Sequence, residues 1–164
     1  LLRTIIGQQV SVKAAESIWG KLAAAVGDIE SPAALVAARE ERLRAAGLSR
    51  QKMGYCRSLA EQTASGALDL HRLPRDDEEA IALLTQVKGI GRWSAEIYLL
   101  FAEGRKDIWP AGDLAVQIEL GRVLGLDGKP SEKATRAHAE SWRPHRGAVA
   151  ILMWHHYKTD MAAI

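Results

Sequence analysis

The sequence is poor in several features that mark particular protein classes. Cys56 is the only cysteine among 164 residues, which excludes an intrachain disulfide framework and a paired-cysteine metal or redox motif. Apolar runs stay well short of the roughly 18 residues that cross a bilayer, and no secretory signal is visible. The net charge of +2 excludes a general polycation. Residues 1–87 carry 11 basic and 11 acidic side chains, whereas residues 88–164 carry 11 and 9, so the positive excess lies in the second half.

Strand signals are also scarce, and the sequence predicts an all-α fold. Alanine and leucine are frequent, alternating β-branched residues are rare, and glycines fall where helices end. Apolar residues recur at helical spacing over Val12–Val26, and Ser31, Ser49 and Ser131 stand where helices should begin. The last segment, Pro144–Lys158, is apolar on more than one side, which predicts a central, buried helix. Acidic residues Asp76–Glu79 predict the start of a helix over Ala80–Val87, and a second helix is predicted from Arg92 to about Glu103. The expected structure is a helical bundle.

The stretch VKGIGRWSAE at residues 87–96 is the most informative part of the chain. Gly89 and Gly91 allow positive φ angles and leave no side chain to block a close approach. Amides at the start of the following helix lack helical partners and carry the positive end of its dipole, so they suit a phosphate. Lys88 and Arg92 add positive charge beside them. The alternative is a turn between two helices that binds no ligand.

Three segments in this order resemble the helix-hairpin-helix DNA glycosylases: IIGQQVS at 5–11, LTQVKGIGRWSA at 84–95 and PAGD at 110–113. Within that superfamily the chain is most similar to the DNA-3-methyladenine glycosylase II branch. The resemblance implies two helical lobes with a cleft between them, a hairpin motif within residues 80–103, and removal of alkylated bases from DNA. Residues 1–164 would then form the catalytic core.

The chain begins at Leu1 rather than at a methionine, so we expect that an N-terminal portion has been removed. Larger members of the family carry an additional N-terminal domain. The sequence leaves open whether such a domain belongs to this protein.

Asp113 is the predicted catalytic residue. Cleaving a base from its sugar develops positive charge on the deoxyribose, and a carboxylate beside that carbon stabilises the charge and orients or deprotonates a water. Asp113 precedes a predicted helix, whose dipole favours a negative charge there. The family's catalytic aspartate falls on this position. The alternative is that Asp113 only caps the helix.

The resemblance also predicts which cofactors and activities are absent. Bifunctional relatives have a nucleophilic lysine where this chain has Trp93, so it implies hydrolysis by water without strand cleavage. Relatives with an iron–sulfur cluster use four cysteines, so no cluster is expected. The histidines lack metal-ligand spacing, and no catalytic metal is expected. In this family the hairpin carbonyls can hold a structural monovalent cation.

Tryptophan is common here, with five residues against a single phenylalanine. Its ring is the best face for a cation, worth roughly 0.5–2 kcal/mol, and an alkylated purine is positively charged. The base must leave the duplex before it can react. By resemblance Trp93 and Trp154 line the pocket for this base. Trp109 lies close to Asp113 in the sequence, and we expect it to shape the approach to that residue. The alternative for each tryptophan is a packing role.

The turn containing Gln8 and Gln9 is expected to enter the DNA helix, with Gln9 filling the gap left by the extruded base. Some relatives have a leucine at that position. The alternative is that the glutamines only hydrogen-bond the loop. The predicted DNA-binding residues are Gln8, Gln9, Lys88, Gly89, Ile90, Gly91, Arg92 and Ser94, with Ile90 turned inward to join the two helices.

The predicted function is therefore a monofunctional glycosylase for alkylated purines in double-stranded DNA. We expect a monomer in the cytoplasm, on the nucleoid of a bacterium or in the nucleus of a eukaryote, with no membrane partner. One alternative is a non-enzymatic DNA-binding module, which would need the hairpin but not Asp113. Another is a related glycosylase for oxidised or mismatched bases.

Overall fold

The computed structural model describes residues 1–161, which form ten α-helices, one 3-10 turn and no β-strand. This confirms the all-α prediction. The helices are α1 Leu2–Gly7, α2 Val12–Val26, α3 Pro32–Ala37, α4 Glu40–Ala45, α5 Arg50–Ala64, α6 Asp77–Leu84, α7 Arg92–Phe101, α8 Leu114–Val123, α9 Glu132–His138 and α10 Arg146–Met161, with the 3-10 turn at Ala139–Trp142.

Six helices begin at a side chain that accepts a hydrogen bond from the backbone amide three residues further on. Such a cap stabilises a helix by about 1 kcal/mol, because it satisfies an amide that lacks a helical partner. The three serine caps predicted from the sequence are confirmed. The capping residues are Ser11, Ser31, Ser49, Asp76, Asp113 and Ser131.

The chain forms two compact units, and the first contains residues 1–91. In this unit α3 packs against α5, and α1 packs against α2 and α5. Burial of each large aliphatic side chain contributes about 1.5–3 kcal/mol to folding. The largest fully buried aliphatic side chains here are those of Ile5, Ile6, Leu22, Leu43, Leu68, Leu84 and Val87.

The second unit begins at Arg92. Its central contact is between α8 and α10, supported by α9 and the 3-10 turn. The core of this unit contains Trp109, Ala111, Val116, Leu120, Ala139, Ala150 and Met153. The predicted central position of the last helix is confirmed by its packing against α8, but the predicted burial holds for one side only, because Ile151 and Leu152 of α10 are 47% and 62% exposed. Only one face of α10 packs against the core.

The helices on either side of the glycine motif differ slightly from the predicted bounds. Helix α6 begins at Asp77 rather than Ala80, because Asp76 caps it and acidic side chains occupy its first turn. It ends at Leu84, so Val87 belongs to the turn. Helix α7 begins at Arg92 as predicted and ends at Phe101. None of the described helices combines the length and the apolar character that spanning a membrane requires.

Candidate nucleic-acid interface and active site

Residues 85–91, which we call the hairpin turn, join α6 to α7. Gly89 has φ +83°, and a Cβ atom there would lie 2.2 Å from the ring of Tyr55. Both its conformation and its close approach to that ring therefore require glycine. Gly91 differs from the prediction, because it does not have a positive φ. A Cβ at Gly91 would meet nothing within 4 Å, so this glycine leaves the surface open to a ligand.

One face of α5 supports the hairpin turn through residues that the sequence analysis missed. The Ser58 hydroxyl accepts a hydrogen bond from the Lys88 amide at 3.2 Å. The Gln62 side-chain amide donates to that hydroxyl at 3.2 Å and to the Gln86 carbonyl at 3.3 Å. Together with Tyr55, these residues stand at positions i, i+3 and i+7 of the helix, which lie on one side. The sequence signal that could have revealed this support is the polar pair Ser58 and Gln62, at helical spacing from Tyr55.

These contacts leave fewer groups of the hairpin turn available to DNA than the sequence predicted. The Lys88 amide donates to Ser58, and the Ile90 amide donates to the Val87 carbonyl at 3.0 Å. Neither amide is therefore free to bind a phosphate. The Ile90 side chain is buried, which confirms that it turns inward but contradicts contact of this side chain with DNA. Ser94 is also buried, so its predicted DNA contact is not supported.

Lys88 and Gly91 remain exposed, and Arg92 is partly exposed. The buried Glu96 carboxylate accepts hydrogen bonds from Arg92 Nε at 3.0 Å and from Arg136 Nη2 at 3.4 Å. Burial raises the pKa of Glu96, and the positive charges of Arg136 and Arg92 act against that rise. Glu96 thus orients the Arg92 side chain at the start of α7.

Residues Gly7–Ser11, which we call the glutamine turn, connect α1 to α2. The Gln8 side-chain amide donates to the Gly89 carbonyl at 2.8 Å, so it contacts the hairpin turn. Lys52 Nζ donates to the Ile6 carbonyl at 2.7 Å, at the end of α1. Gln9 is exposed and has φ +56°, which is uncommon for a residue other than glycine and often marks a functional position.

In the second unit, three uncharged donors hold the Asp113 carboxylate. Oδ1 accepts from the Val116 amide at 3.0 Å and from Trp154 Nε1 at 3.0 Å. Oδ2 accepts from Trp93 Nε1 at 2.9 Å. Asp113 is therefore the N-cap of α8, as the capping alternative predicted. It also accepts hydrogen bonds from both predicted pocket tryptophans. Its side chain stays half-buried.

The aromatic rings beside Asp113 are partly accessible. Trp93 is 45% exposed, which excludes the alternative that it is a core residue. Trp154 is half-buried, packs against the core of the second unit and stacks on Phe101 with ring centroids 5.6 Å apart. Phe101 is 61% exposed and was missed, because its partner is 53 positions away in the sequence. An exposed stacked pair of this kind offers a flat apolar surface to a planar ligand.

The prediction that Trp109 contacts substrate is wrong. Trp109 is only 2% exposed, and its Nε1 donates to the Thr135 carbonyl at 3.2 Å. Its ring also meets the edge of Trp142 at 5.4 Å. The packing alternative therefore holds for this residue, which supports the core beneath α8.

Comparison with known proteins identifies the family to which this chain is similar. Residues 2–144 match the model of the HhH-GPD superfamily base excision DNA repair proteins. DNA-3-methyladenine glycosylase 1 of Schizosaccharomyces pombe is 34% identical over 160 residues, which cover 94% of this chain and 69% of that protein.

Solved structures agree with this similarity. The crystal structure of a DNA-3-methyladenine glycosidase from Bacillus halodurans is 33% identical with a TM-score of 0.90, covering 98% of this chain and 75% of that one. A 3-methyladenine DNA glycosylase of S. pombe, in complex with abasic DNA, is 33% identical with a TM-score of 0.77, covering 93% and 76%. The chain belongs to the HhH-GPD superfamily of base excision DNA repair proteins.

Proposed function

We propose that this chain is a monofunctional DNA glycosylase that hydrolyses the N-glycosidic bond of alkylated purines, such as 3-methyladenine and 7-methylguanine, in double-stranded DNA. The relatives reported above carry the names of 3-methyladenine glycosylases and support this reaction class. The observation that carries the proposal is the Asp113 carboxylate, which Trp93 and Trp154 hold through their indole N–H groups.

Asp113 stabilises the deoxyribose as it acquires positive charge. Its three donors are neutral, so they fix the position of the carboxylate without cancelling its charge. A fixed charge aimed at the developing opposite charge needs little rearrangement during the reaction, which is the main source of electrostatic catalysis. The same carboxylate orients the water that attacks the sugar or takes its proton.

The aromatic faces of Trp93, Trp154 and Phe101 suit a base that is planar and electron-poor. An alkylated purine carries positive charge, and such a cation is attracted to the face of an indole. It is also a good leaving group, so the reaction needs no strong acid from the protein. Extruding the nucleotide costs a few kcal/mol, which contacts outside the pocket must offset.

Contacts to the DNA backbone come from the hairpin turn and the residues beside it. Lys88 and Arg92 supply positive charge, and Gly91 permits close approach of the sugar–phosphate chain. Gln9, at the exposed tip of the glutamine turn, fills the space of the extruded base. The protein acts as a monomer wherever the DNA resides, on a nucleoid or in a nucleus.

The proposed reaction uses no cofactor. The carbonyls of Gln86, Val87 and Gly89 in the hairpin turn each accept one hydrogen bond from a protein donor, and each keeps a second lone pair that could bind a structural cation. Trp93 has no amine to attack the sugar, so water is the nucleophile and the product is an abasic site in an intact strand.

The test is release of free 3-methyladenine from methylated duplex DNA, measured by chromatography, for the wild-type protein and for Asp113→Asn. We expect the substitution to reduce the rate by about 10²–10³-fold or more, because it removes the stabilising charge. Binding to a duplex with an abasic-site analogue should be kept. Thermal unfolding should change little, since the asparagine oxygen keeps the cap of α8 and the exposed Trp93 indole can donate to water instead.

Near-normal base release by Asp113→Asn would overturn the catalytic role. Binding without any base release by the wild-type protein would favour a non-enzymatic DNA-binding module. Release of oxidised but not methylated bases would favour a related glycosylase. Borohydride should trap no covalent protein–DNA adduct, and a trapped adduct would contradict the monofunctional mechanism.

A further inference from the structure

The Gln8 side chain joins two elements of the first unit that the proposed function assigns to DNA. Its Nε2 donates to the Gly89 carbonyl at 2.8 Å, across 81 positions of the sequence. Gly89 cannot be replaced without displacing Tyr55, so the carbonyl that receives this bond has a fixed place. The glutamine turn is thereby tied to the most constrained residue of the hairpin turn.

This bond determines the direction of the neighbouring residue. Gln8 faces the protein, whereas Gln9 is exposed and has a positive φ. The two ends of the glutamine turn are held separately. Lys52 Nζ donates to the Ile6 carbonyl just before the turn, and Ser11 at its end caps α2. Between these two anchors, the hydrogen bond from the Gln8 side-chain amide sets the position of Gln9, the exposed tip of the turn, relative to the hairpin turn.

We propose that Gln8 is a positioning residue for base extrusion. It couples the glutamine turn to the hairpin turn, so that Gln9 enters the duplex in register with the contacts that the hairpin turn makes to the backbone. This inference rests on the proposed function. It assigns Gln8 no contact with the base, and it replaces the sequence-based prediction that the Gln8 side chain binds DNA directly.

The chain provides a matched control in Gln62. Its side-chain amide also donates to a carbonyl of the hairpin turn, that of Gln86, but from α5 and not from the glutamine turn. Gln62→Met and Gln8→Met each remove one side-chain amide while keeping a side chain of similar length. Gln62→Met removes two hydrogen bonds and Gln8→Met removes one, so the control is the stricter change. Only Gln8→Met releases the glutamine turn.

The experiment compares base release from methylated duplex DNA with release from the same methylated single strand, where no base has to leave a stack. We expect Gln8→Met to lower the duplex rate about twofold to tenfold, which is the range for one net hydrogen bond, and to leave the single-strand rate unchanged. Gln8→Glu should lower the duplex rate further, because its carboxylate repels the Gly89 carbonyl. Gln62→Met should not change the ratio of the two rates.

A second measurement does not depend on catalysis. Each variant is titrated onto a duplex with an abasic-site analogue beside 2-aminopurine, whose fluorescence rises when neighbouring bases unstack. Gln8→Met should reduce this rise at saturating protein, and Gln62→Met should not. If the wild-type protein raises the fluorescence but releases no base, the proposed function is wrong. The fluorescence of the variants then still tests the positioning role of Gln8.

Two results would overturn the inference. One is an equal loss on duplex and single strand, which would mean that Gln8 only stabilises the fold. The other is a fluorescence rise in Gln8→Met equal to that of the wild-type protein. Melting temperatures of both methionine variants are measured alongside, and Gln8→Glu provides a second test if Gln8→Met is unstable.

Discussion

Two aspartates of the second unit, six positions apart, are held in opposite ways. Asp113 accepts hydrogen bonds from two indoles and one backbone amide, all uncharged. Asp107 accepts from Arg143 at 2.8 Å and from Arg146 at 2.8 and 3.0 Å, and also from the Arg146 backbone amide at 3.3 Å. One carboxylate is surrounded by dipoles and the other by cations.

The difference separates the carboxylate that we propose as catalytic from one that holds the fold together. Burial raises the pKa of Asp107, but hydrogen bonds and charge from Arg146 and Arg143 outweigh burial and hold that pKa below its usual range. Its negative charge is thus compensated within the protein, at the start of α10. Within the described residues no cation pairs with Asp113, so its charge is oriented but not compensated, as the proposed catalytic role requires. Comparing the donors therefore distinguishes two aspartates that the sequence presents alike.

The largest effect on stability in this comparison is expected from Asp107→Asn. The substitution leaves the guanidinium of Arg146, whose side chain is 9% exposed, without its strongest partner. Removing one member of a largely buried ion pair is costly, and we expect the free energy of unfolding to fall by about 2–3 kcal/mol. Urea denaturation measures this change.

The same variant should release bases at the wild-type rate at a temperature where it is folded. Asp113→Asn should show the opposite pattern, with normal stability and lost activity. If Asp107→Asn abolished base release while remaining folded, the division between the two carboxylates would be wrong.

A smaller effect is expected when the donors to Asp113 are changed singly. Trp154→Phe removes one indole N–H from the carboxylate but keeps an aromatic ring against Phe101. Because the lost hydrogen bond is made to a charged group, we expect the rate of base release to fall about tenfold. Trp93→Phe should have a similar effect, since its indole holds the other carboxylate oxygen.

Trp109→Phe is the matched control, because its indole donates to the Thr135 carbonyl in the core. It should lower the melting temperature and leave base release unchanged in the folded protein. Single-turnover rates and thermal unfolding of the three variants separate these effects. Equal loss of activity in all three would show that the tryptophans act through stability alone.

Much of the local structure could be predicted from the sequence. Ser31, Ser49 and Ser131 cap helices as predicted, because capping depends on residues only three positions apart. The family assignment is confirmed by the comparisons, and it rested on three short motifs. The direction of Ile90 was also predicted correctly, since an apolar residue between two glycines has few other places to go.

What the sequence did not reveal depends on contacts between distant positions. Gln62 and Gln86 are 24 positions apart, and Asp107 and Arg146 are 39 apart, with no local pattern to join them. Trp109 was assigned to substrate because it lies near Asp113 in the sequence, whereas its ring packs into the core. The direction of the Trp109 side chain is set by the surrounding fold and not by neighbouring residues.

The smallest expected effect is the pH dependence of the Asp107 contribution. A carboxyl whose pKa is lower in the folded than in the unfolded protein stabilises the fold above its unfolded pKa, near 3.9. That stabilisation is lost as the pH falls through the lower, folded value. The difference in unfolding free energy between wild-type protein and Asp107→Asn should therefore be constant from pH 7 to about pH 5 and shrink below about pH 4.

The other carboxyls whose pKa values are shifted, Glu96 and Glu140, are not the main source of this pH-dependent difference in unfolding free energy. Burial raises the pKa of Glu96, so its ionisation costs stability as the pH rises, but it does so in both proteins and cancels. The largest cause that lowers the pKa of Glu140, the hydrogen bond from Arg143, is present in both proteins, and the repulsion from Asp107 that the variant loses is the smallest cause acting on Glu140. Urea denaturation of both proteins from pH 3 to 7 measures the difference. A difference that stayed constant down to pH 3 would mean that the shape of Asp107 matters and its charge does not, and the contrast with Asp113 would then rest on geometry alone.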